Sequence, residues 1–233
     1  MIKGIILDYG GTLDTGGEHW SHIIKEGWEK AGVVADDALF REAYVYGERE
    51  LERTLKILPH HNFADLLNIK IQIELEYLSE LGRFPGAQIE EKAMEIAKYC
   101  YQKARENTTK IQPVLEELMK KYPIVLVSNF YGNLDSVLED FGLKKYFKGV
   151  IESAKKGVRK PDVELLEMGI KSLGISPQET LVVGDSIKND IEPAKKLGCK
   201  TLLLNGRKWG DDTVNNEELE SIDSLDQILS FLE

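Results

Sequence analysis

The chain opens on a short apolar run, Ile5-Ile6-Leu7, that stops at Asp8 and passes at once into Gly10-Gly11-Thr12. An unbroken apolar run of strand length closed by glycines is the pattern of a strand buried on both faces, as in a parallel sheet. After Thr15-Gly16-Gly17 the rhythm turns helical. Trp20, Ile23, Ile24 and Trp28 recur at helical spacing, Phe40, Ala43, Tyr44, Gly47 and Leu51 mark a second helix, and Ile89, Ala93, Ile96, Ala97 and Cys100 a last one. Between them Ile69, Ile71, Ile73 and Leu75 alternate as a strand would. Leu66, Ile69, Ile73 and Tyr77 also form a helical stripe that runs through good helix formers to Gly82, and a helix is therefore expected there.

From Ile111 the pattern alternates. It predicts helix over 113–121, strand over 124–127, helix over 133–141, a strand near Val150, helix over 163–173, strand over 181–183, helix over 189–197 and strand over 201–204. Asp162 and Ser176 suit helix N-caps, Pro113, Pro177 and Pro193 suit first turns, and Gly174 and Gly198 suit helix ends. Ser221, Asp223 or Ser224 would cap a short final helix carrying Leu225, Ile228, Leu229 and Leu232. Strands alternating with helices of this length predict an α/β fold, a doubly wound parallel sheet of the Rossmann-like kind. Residues 1–14 and 106–233 make this core, and 15–105 make an inserted all-helical domain.

Composition changes little in that picture but excludes several functions. The chain has 233 residues, 42% of them hydrophobic, enough for one α/β core and a smaller unit. Thirty Lys and Arg against forty Asp and Glu give a net charge of −10, and the basic pairs Lys144-Lys145, Lys155-Lys156 and Lys195-Lys196 are scattered, which argues against a nucleic-acid partner. No uninterrupted apolar stretch reaches membrane-spanning length, so no membrane partner is expected. Cys100 and Cys199 show no disulfide or zinc spacing and read as core residues of a reducing compartment; with no charged and apolar leader ahead of the first strand, a cytoplasmic location is expected.

Four segments place chemistry at or just beyond predicted strand ends, where open α/β sheets bind ligands: Asp8; Ser128-Asn129; Lys160-Pro161-Asp162; and Gly184-Asp185-Ser186 through Asn189-Asp190. A carboxylate such as Asp8 can attack phosphorus and divide one hard displacement into two easier ones. The hydroxyl of Ser128 and a neighbouring backbone N–H can hold phosphate oxygens. The ammonium of Lys160 can offset the charge of a phosphoryl group and of Asp8, whereas Arg159 beside it reads as a surface charge. Asp8 and Asp185 together make a hard oxygen site of the kind Mg²⁺ prefers.

In this order the four segments resemble the motifs of the haloacid dehalogenase (HAD) superfamily, and the helical block lies where that family inserts its C1-type cap. The resemblance implies a hydrolase that binds Mg²⁺ and acts on a small phosphorylated metabolite through an aspartyl-phosphate on Asp8. It implies Lys160 as the second catalytic residue, Gly11, Thr12, Ser128, Asn129 and Lys160 at the substrate, and Asp8, the Gly10 carbonyl, Asp185 and Asp190 at the metal. The usual first motif is Asp-x-Asp-Gly-Thr, and here Gly10 replaces the second aspartate, the family's general acid/base. Proton transfer of that kind is worth about 10²–10⁴-fold, so ester turnover is expected to be slow.

The departure at Gly10 leaves three other readings within the resemblance. Haloacid dehalogenases also lack the second acid, but they use no Mg²⁺ and lack an acidic fourth motif such as Asp185 and Asp190 supply. Phosphonatases, which hydrolyse C–P bonds, carry alanine at this position and recruit a cap lysine; Lys25, Lys56 and Lys70 lie in the block. A weakly catalytic phospho-ligand-binding protein is the third. Asp14, His19 and His22 are candidates to replace the missing proton donor, and the cap aromatics Trp20, Trp28, Tyr44 and Tyr46 are candidates to set substrate choice, while the unspaced pair His60-His61 carries no metal pattern.

Overall fold

A computed structural model describes residues 1–209 and 219–232. Its sheet has six parallel strands: β1 (Gly4–Leu7), β2 (Ile124–Ser128), β3 (Gly149–Glu152), β4 (Thr180–Gly184), β5 (Lys200–Leu204) and β6 (Ser221–Ile222). They are ordered β3-β2-β1-β4-β5-β6, with Leu7 in register beside Leu126 on one side and Val183 on the other. Chain progression reverses on either side of β1, so the carboxyl ends of β1 and β4 flank the crevice that doubly wound sheets offer to ligands.

Strand residues divide by period two between the two faces. Ile5, Leu7, Leu126, Leu181 and Val183 join the larger apolar cluster, which continues through Tyr9 and Leu13 into the helical insert. Ile6, Val125, Val127 and Val182 pack instead on Leu165, Leu166, Ile170 and Leu173 of α7 (Val163–Leu173). Burial on both faces explains why these strands read as continuous apolar runs rather than alternating ones.

The insert between β1 and β2 is helical, as expected: α1 (Trp20–Lys30), α2 (Asp37–Arg53), α3 (Phe63–Glu80) and α4 (Ile89–Lys121). The ambiguous 69–75 segment lies within α3, whose N-terminus is closed by a capping box between Asn62 and Asp65. Beyond the insert come α5 (Leu134–Asp140), α6 (Ser153–Lys156), α7, α8 (Glu192–Leu197) and α9 (Gln227–Phe231). Asp162 caps α7, and Gly174 and Gly198 close α7 and α8 in the left-handed region, as the sequence indicated.

Four local expectations change. The separate helix over 113–121 does not exist; α4 runs unbroken for 33 residues through Pro113. Proline leaves the Thr109 carbonyl without its helical donor, yet Ala104, Thr108, Ile111, Leu115 and Leu118 keep one buried stripe across it, and burial outweighs the lost bond. The helix over 189–197 starts instead as a π turn, Ile187–Ile191, before α8. Ser176 caps only a single 3₁₀ turn ahead of β4. Ser221 belongs to the sixth strand, and Asp226 stands at the start of α9.

Candidate active site

Four chain segments converge at the carboxyl edge of the sheet, three because a strand ends there and one through the loop between α6 and α7. Asp8 follows β1, Ser128 ends β2, Asp185 follows β4, and Lys160 lies in the loop before α7. With Gly10, Asn129 and Asp190 they line a cleft of about 310 Å³. Asp8, Lys160, Asp185 and Asp190 are all buried, none more than 8% exposed, which is rare for charged groups unless they are paired.

Lys160 supplies the pairing. Its Nζ donates to Asp8 Oδ1 at 2.6 Å, to Asp190 Oδ1 at 2.5 Å and to the Val127 carbonyl at 3.1 Å, so all three of its hydrogens have acceptors. Burial alone would lower the pKa of this amine; Asp190 and Asp8 more than offset that and hold it firmly protonated. Asn129 fixes the lysine in place. Its side-chain oxygen accepts from the Lys160 N–H at 2.8 Å and its amide donates to the Lys160 carbonyl at 2.9 Å, so this side chain is committed to the lysine backbone. Asp190 is oriented from its other side by the Ser186 N–H at 3.0 Å.

The glycine turn closes onto this set. Thr12 Oγ1 lies 3.3 Å from Asp8 Oδ2 and 3.2 Å from Asp185 Oδ1, and accepts from the Asp185 N–H at 3.1 Å, tying the ends of β1 and β4 together. Gly11 has φ +87, and a Cβ there would lie 2.6 Å from Asp185 Oδ1, so only glycine lets the turn approach that carboxylate. Gly10 is different. It is not among the positive-φ glycines, and a Cβ built on it meets nothing within 4 Å. Neither backbone conformation nor crowding demands glycine at position 10.

Asp8, Asp185 and Asp190 each offer a carboxylate oxygen, and these atoms lie within 4.8 Å of one another. Three buried acids face Lys160 and one further cation, Lys208, whose Nζ donates to the Asp185 carbonyl and lies 3.6 Å from Asp185 Oδ2. The net charge of this cluster is −1, and burial together with the charge of Asp8 pushes the Asp185 carboxyl up from its ordinary range. An all-oxygen, electron-rich set of this kind fits a hard divalent cation and disfavours a phosphate dianion on its own.

Lys208 was not singled out from the sequence, although it follows β5 much as Asp8 and Asp185 follow β1 and β4. Trp209, beside it, stacks on His19 at 5.3 Å. His19 lines the cleft and holds its Nδ1 toward the Ser21 N–H, and burial lowers its pKa to about 4, so it is neutral at physiological pH. Asp14 accepts from the Gly11 N–H at 2.7 Å and from the Trp20 indole at 2.9 Å, and burial raises it to about 8. His22 meets the Lys208 carbonyl outside the cleft. His61 caps a loop at Leu58, and Arg159 pairs at the surface with Glu52.

Of the residues singled out in the helical insert, Trp20, Tyr44 and Lys70 line a second cavity of about 150 Å³ beside the cleft. Trp28 is buried in the core and Tyr46 stacks on Tyr77, both away from it. Lys25 pairs with Asp37 at the surface, and Lys56 is exposed.

Known proteins resemble this chain in sequence and in fold. A family model described as haloacid dehalogenase-like hydrolase matches residues 2–198. The chain is 33% identical over 91 residues to a glyceraldehyde 3-phosphate phosphatase of Methanocaldococcus jannaschii, covering 39% of this chain and 40% of that protein. It is 30% identical over 152 residues to a phosphoglycolate phosphatase of Vibrio vulnificus, covering 62% of this chain and 66% of that one. These matches thus span less than two thirds of either relative's length. A 2-haloacid dehalogenase from Pseudomonas syringae pv. Tomato DC3000 has the same fold, with a TM-score of 0.54, 21% identity and coverage of 100% and 98% of the two chains. With a family match across both the sheet and the insert, and the four segments meeting at one edge of the sheet, the chain belongs to the haloacid dehalogenase-like hydrolases.

Proposed function

We propose that this protein is a Mg²⁺-dependent phosphohydrolase acting on a small phosphorylated metabolite, with Asp8 as nucleophile and with turnover limited by Gly10. The observation that carries the reading is the junction at Lys160: one buried ammonium bridges the Asp8 and Asp190 carboxylates, with Asp185 beside them. An acidic set of this size argues against halide displacement, which needs no divalent cation. The relatives named for phosphoglycolate and glyceraldehyde 3-phosphate support a short phosphorylated substrate.

Asp8, Asp185, Asp190 and the Gly10 carbonyl would hold the metal, which would supply charge neutralisation for the phosphoryl oxygens. Asp8 attacks phosphorus, the P–O ester bond breaks, and the leaving oxygen takes a proton; water then attacks the aspartyl-phosphate, releasing inorganic phosphate and restoring Asp8. Lys160 holds Asp8 in line and balances the phosphoryl charge, positioned by Asn129. Ser128, Asn129 and Gly10 would bound the phosphate pocket, with Thr12 buried behind them and the Gly11 N–H committed to Asp14. Gly10 has no group to give or take a proton, and aryl esters, whose leaving oxygens need none, are the substrates this site handles best.

Residues 15–105 act as the cap over this site and exclude water from it. Both cysteines are buried and free, which suits a reducing, cytoplasmic setting. Among the described residues no helix is long and apolar enough to cross a membrane. Hydrolysis of p-nitrophenyl phosphate that requires Mg²⁺ and disappears on chelation and in Asp8→Asn supports the reading. Hydrolysis unchanged by chelation, or retained in Asp8→Asn, overturns it.

A further inference from the structure

The cap cavity joins the catalytic cleft across Gly10, His19, Asn129 and Asp185, which line both. A Cβ built on Gly10 would meet nothing within 4 Å, so an ester with its phosphate in the cleft would have room to extend into this cavity. Its walls are mostly apolar, with Trp20, Tyr44, Phe63 and Leu67 among them. Its polar end is built from two cap helices and the loop after β2: Lys70 from α3, Glu48 from α2 and Tyr131.

Lys70 is the single lysine or arginine lining this cavity among the described residues, and its charge is already matched. Its buried Nζ pairs with Glu48 Oε1 and lies 4.2 Å from the Tyr44 ring centroid. The other oxygen of Glu48 accepts from the Tyr131 hydroxyl at 2.6 Å, fixing the carboxylate against the lysine. One helical turn along, Glu74 is fully buried near the Trp28 indole, which makes no hydrogen bond of normal geometry to it; burial raises it to about 8 against the opposing pull of Lys70 and that indole, so it is uncharged at neutral pH. His19 is neutral as well.

We propose that the cap cavity receives an uncharged leaving group bearing hydroxyl or carbonyl oxygens and rejects one bearing a carboxylate, with Lys70, Glu48 and Tyr131 as the specificity-determining residues. This rests on the phosphohydrolase reading above. A carboxylate entering the cavity would lose its hydration and meet a lysine whose charge Glu48 has cancelled, with Asp185 adding repulsion at the cavity mouth. A hydroxyl or carbonyl finds a donor on Lys70, and a hydroxyl also finds acceptors on Glu48 and on the Tyr131 oxygen, whose own hydrogen goes to Glu48.

The test compares glycerol 3-phosphate with 2-phosphoglycolate on the full chain with Mg²⁺. The wild type is expected to favour glycerol 3-phosphate in kcat/KM by at least about tenfold, the equivalent of about 1.4 kcal/mol. Glu48→Gln, which leaves the Lys70 charge unmatched, is expected to move that ratio toward the carboxylate substrate by at least about tenfold. Lys70→Gln, which leaves the Glu48 carboxylate unmatched, is expected to keep or strengthen the wild-type preference. A wild type that prefers 2-phosphoglycolate, a ratio unmoved in Glu48→Gln, or a ratio shifted toward 2-phosphoglycolate in Lys70→Gln overturns the proposal. Thermal denaturation establishes that each variant folds; if Glu48→Gln does not, the wild type and Lys70→Gln decide. Titration calorimetry of both esters into Asp8→Asn with Mg²⁺ reads the same preference in Kd, and failure of glycerol 3-phosphate to bind more tightly also overturns it. If p-nitrophenyl phosphate is not hydrolysed the phosphohydrolase reading fails, while the calorimetric preference still decides this one.

Discussion

The two ends of the substrate space treat buried charge in opposite ways. At the sheet edge Lys160 has all three hydrogens satisfied, Asp190 is held on both oxygens, and Asn129 clamps the lysine backbone. In the cap Lys70 is matched by Glu48, but Glu74 beneath them is buried with no hydrogen-bond partner. Buried polar groups without partners are costly and normally avoided. Buried charge at the sheet edge is therefore fully partnered, whereas α3 holds a buried carboxyl group without a hydrogen bond one turn from Lys70.

The largest effect should come from breaking the catalytic side of this comparison. Lys160→Met leaves Asp8 and Asp190 buried and mutually repelling, and removing one partner from a buried ion pair costs about 3–5 kcal/mol. Hydrolysis of p-nitrophenyl phosphate is expected to fall by about 10²–10³-fold. Asn129→Ala removes only the clamp, so a smaller loss of about tenfold is expected with the metal requirement unchanged. Steady-state kinetics with a Mg²⁺ titration checks both, and equal losses in the two variants would contradict the division between a catalytic and a positioning residue.

The smallest effect lies in the cap. Glu74 has its pKa raised from 4.5 to about 8 in the folded protein. As pH rises through that window the unfolded chain gives up its proton first, so stability falls as pH increases. Glu74→Gln removes this dependence, and its melting temperature is expected to gain on the wild type between about pH 5 and pH 8. A few kcal/mol at most is at stake, and about 2–4 °C of melting temperature per kcal/mol applies to a chain of this size. Melting curves that stay parallel across this range would show that Glu74 finds a partner in solution.

The same contrast explains what was legible in the sequence. Asp8, Ser128, Lys160 and Asp185 were visible because each follows an apolar run or opens a helix, and strand ends in a doubly wound sheet converge whatever lies between them. Lys208 obeys the same rule after β5 but stands in no recognisable motif. The cap was legible as helices and no further. Glu48, Lys70 and Tyr131 meet through the packing of α2, α3 and the loop after β2, and periodicity shows which face of a helix is buried without showing what it meets. Pro113 misled for a related reason: a local breaker signal lost to a buried stripe that continues past it.

If the phosphoryl site is intact and only its proton-transfer group is missing, Gly10→Asp restores what the chain lacks. The backbone at position 10 accepts a side chain and nothing crowds its Cβ, so the variant can be built without strain. We predict that kcat for an alkyl phosphate such as glycerol 3-phosphate rises by about 10²–10⁴-fold relative to the wild type, with a much smaller change for p-nitrophenyl phosphate. An unchanged ratio between the two esters would contradict the account.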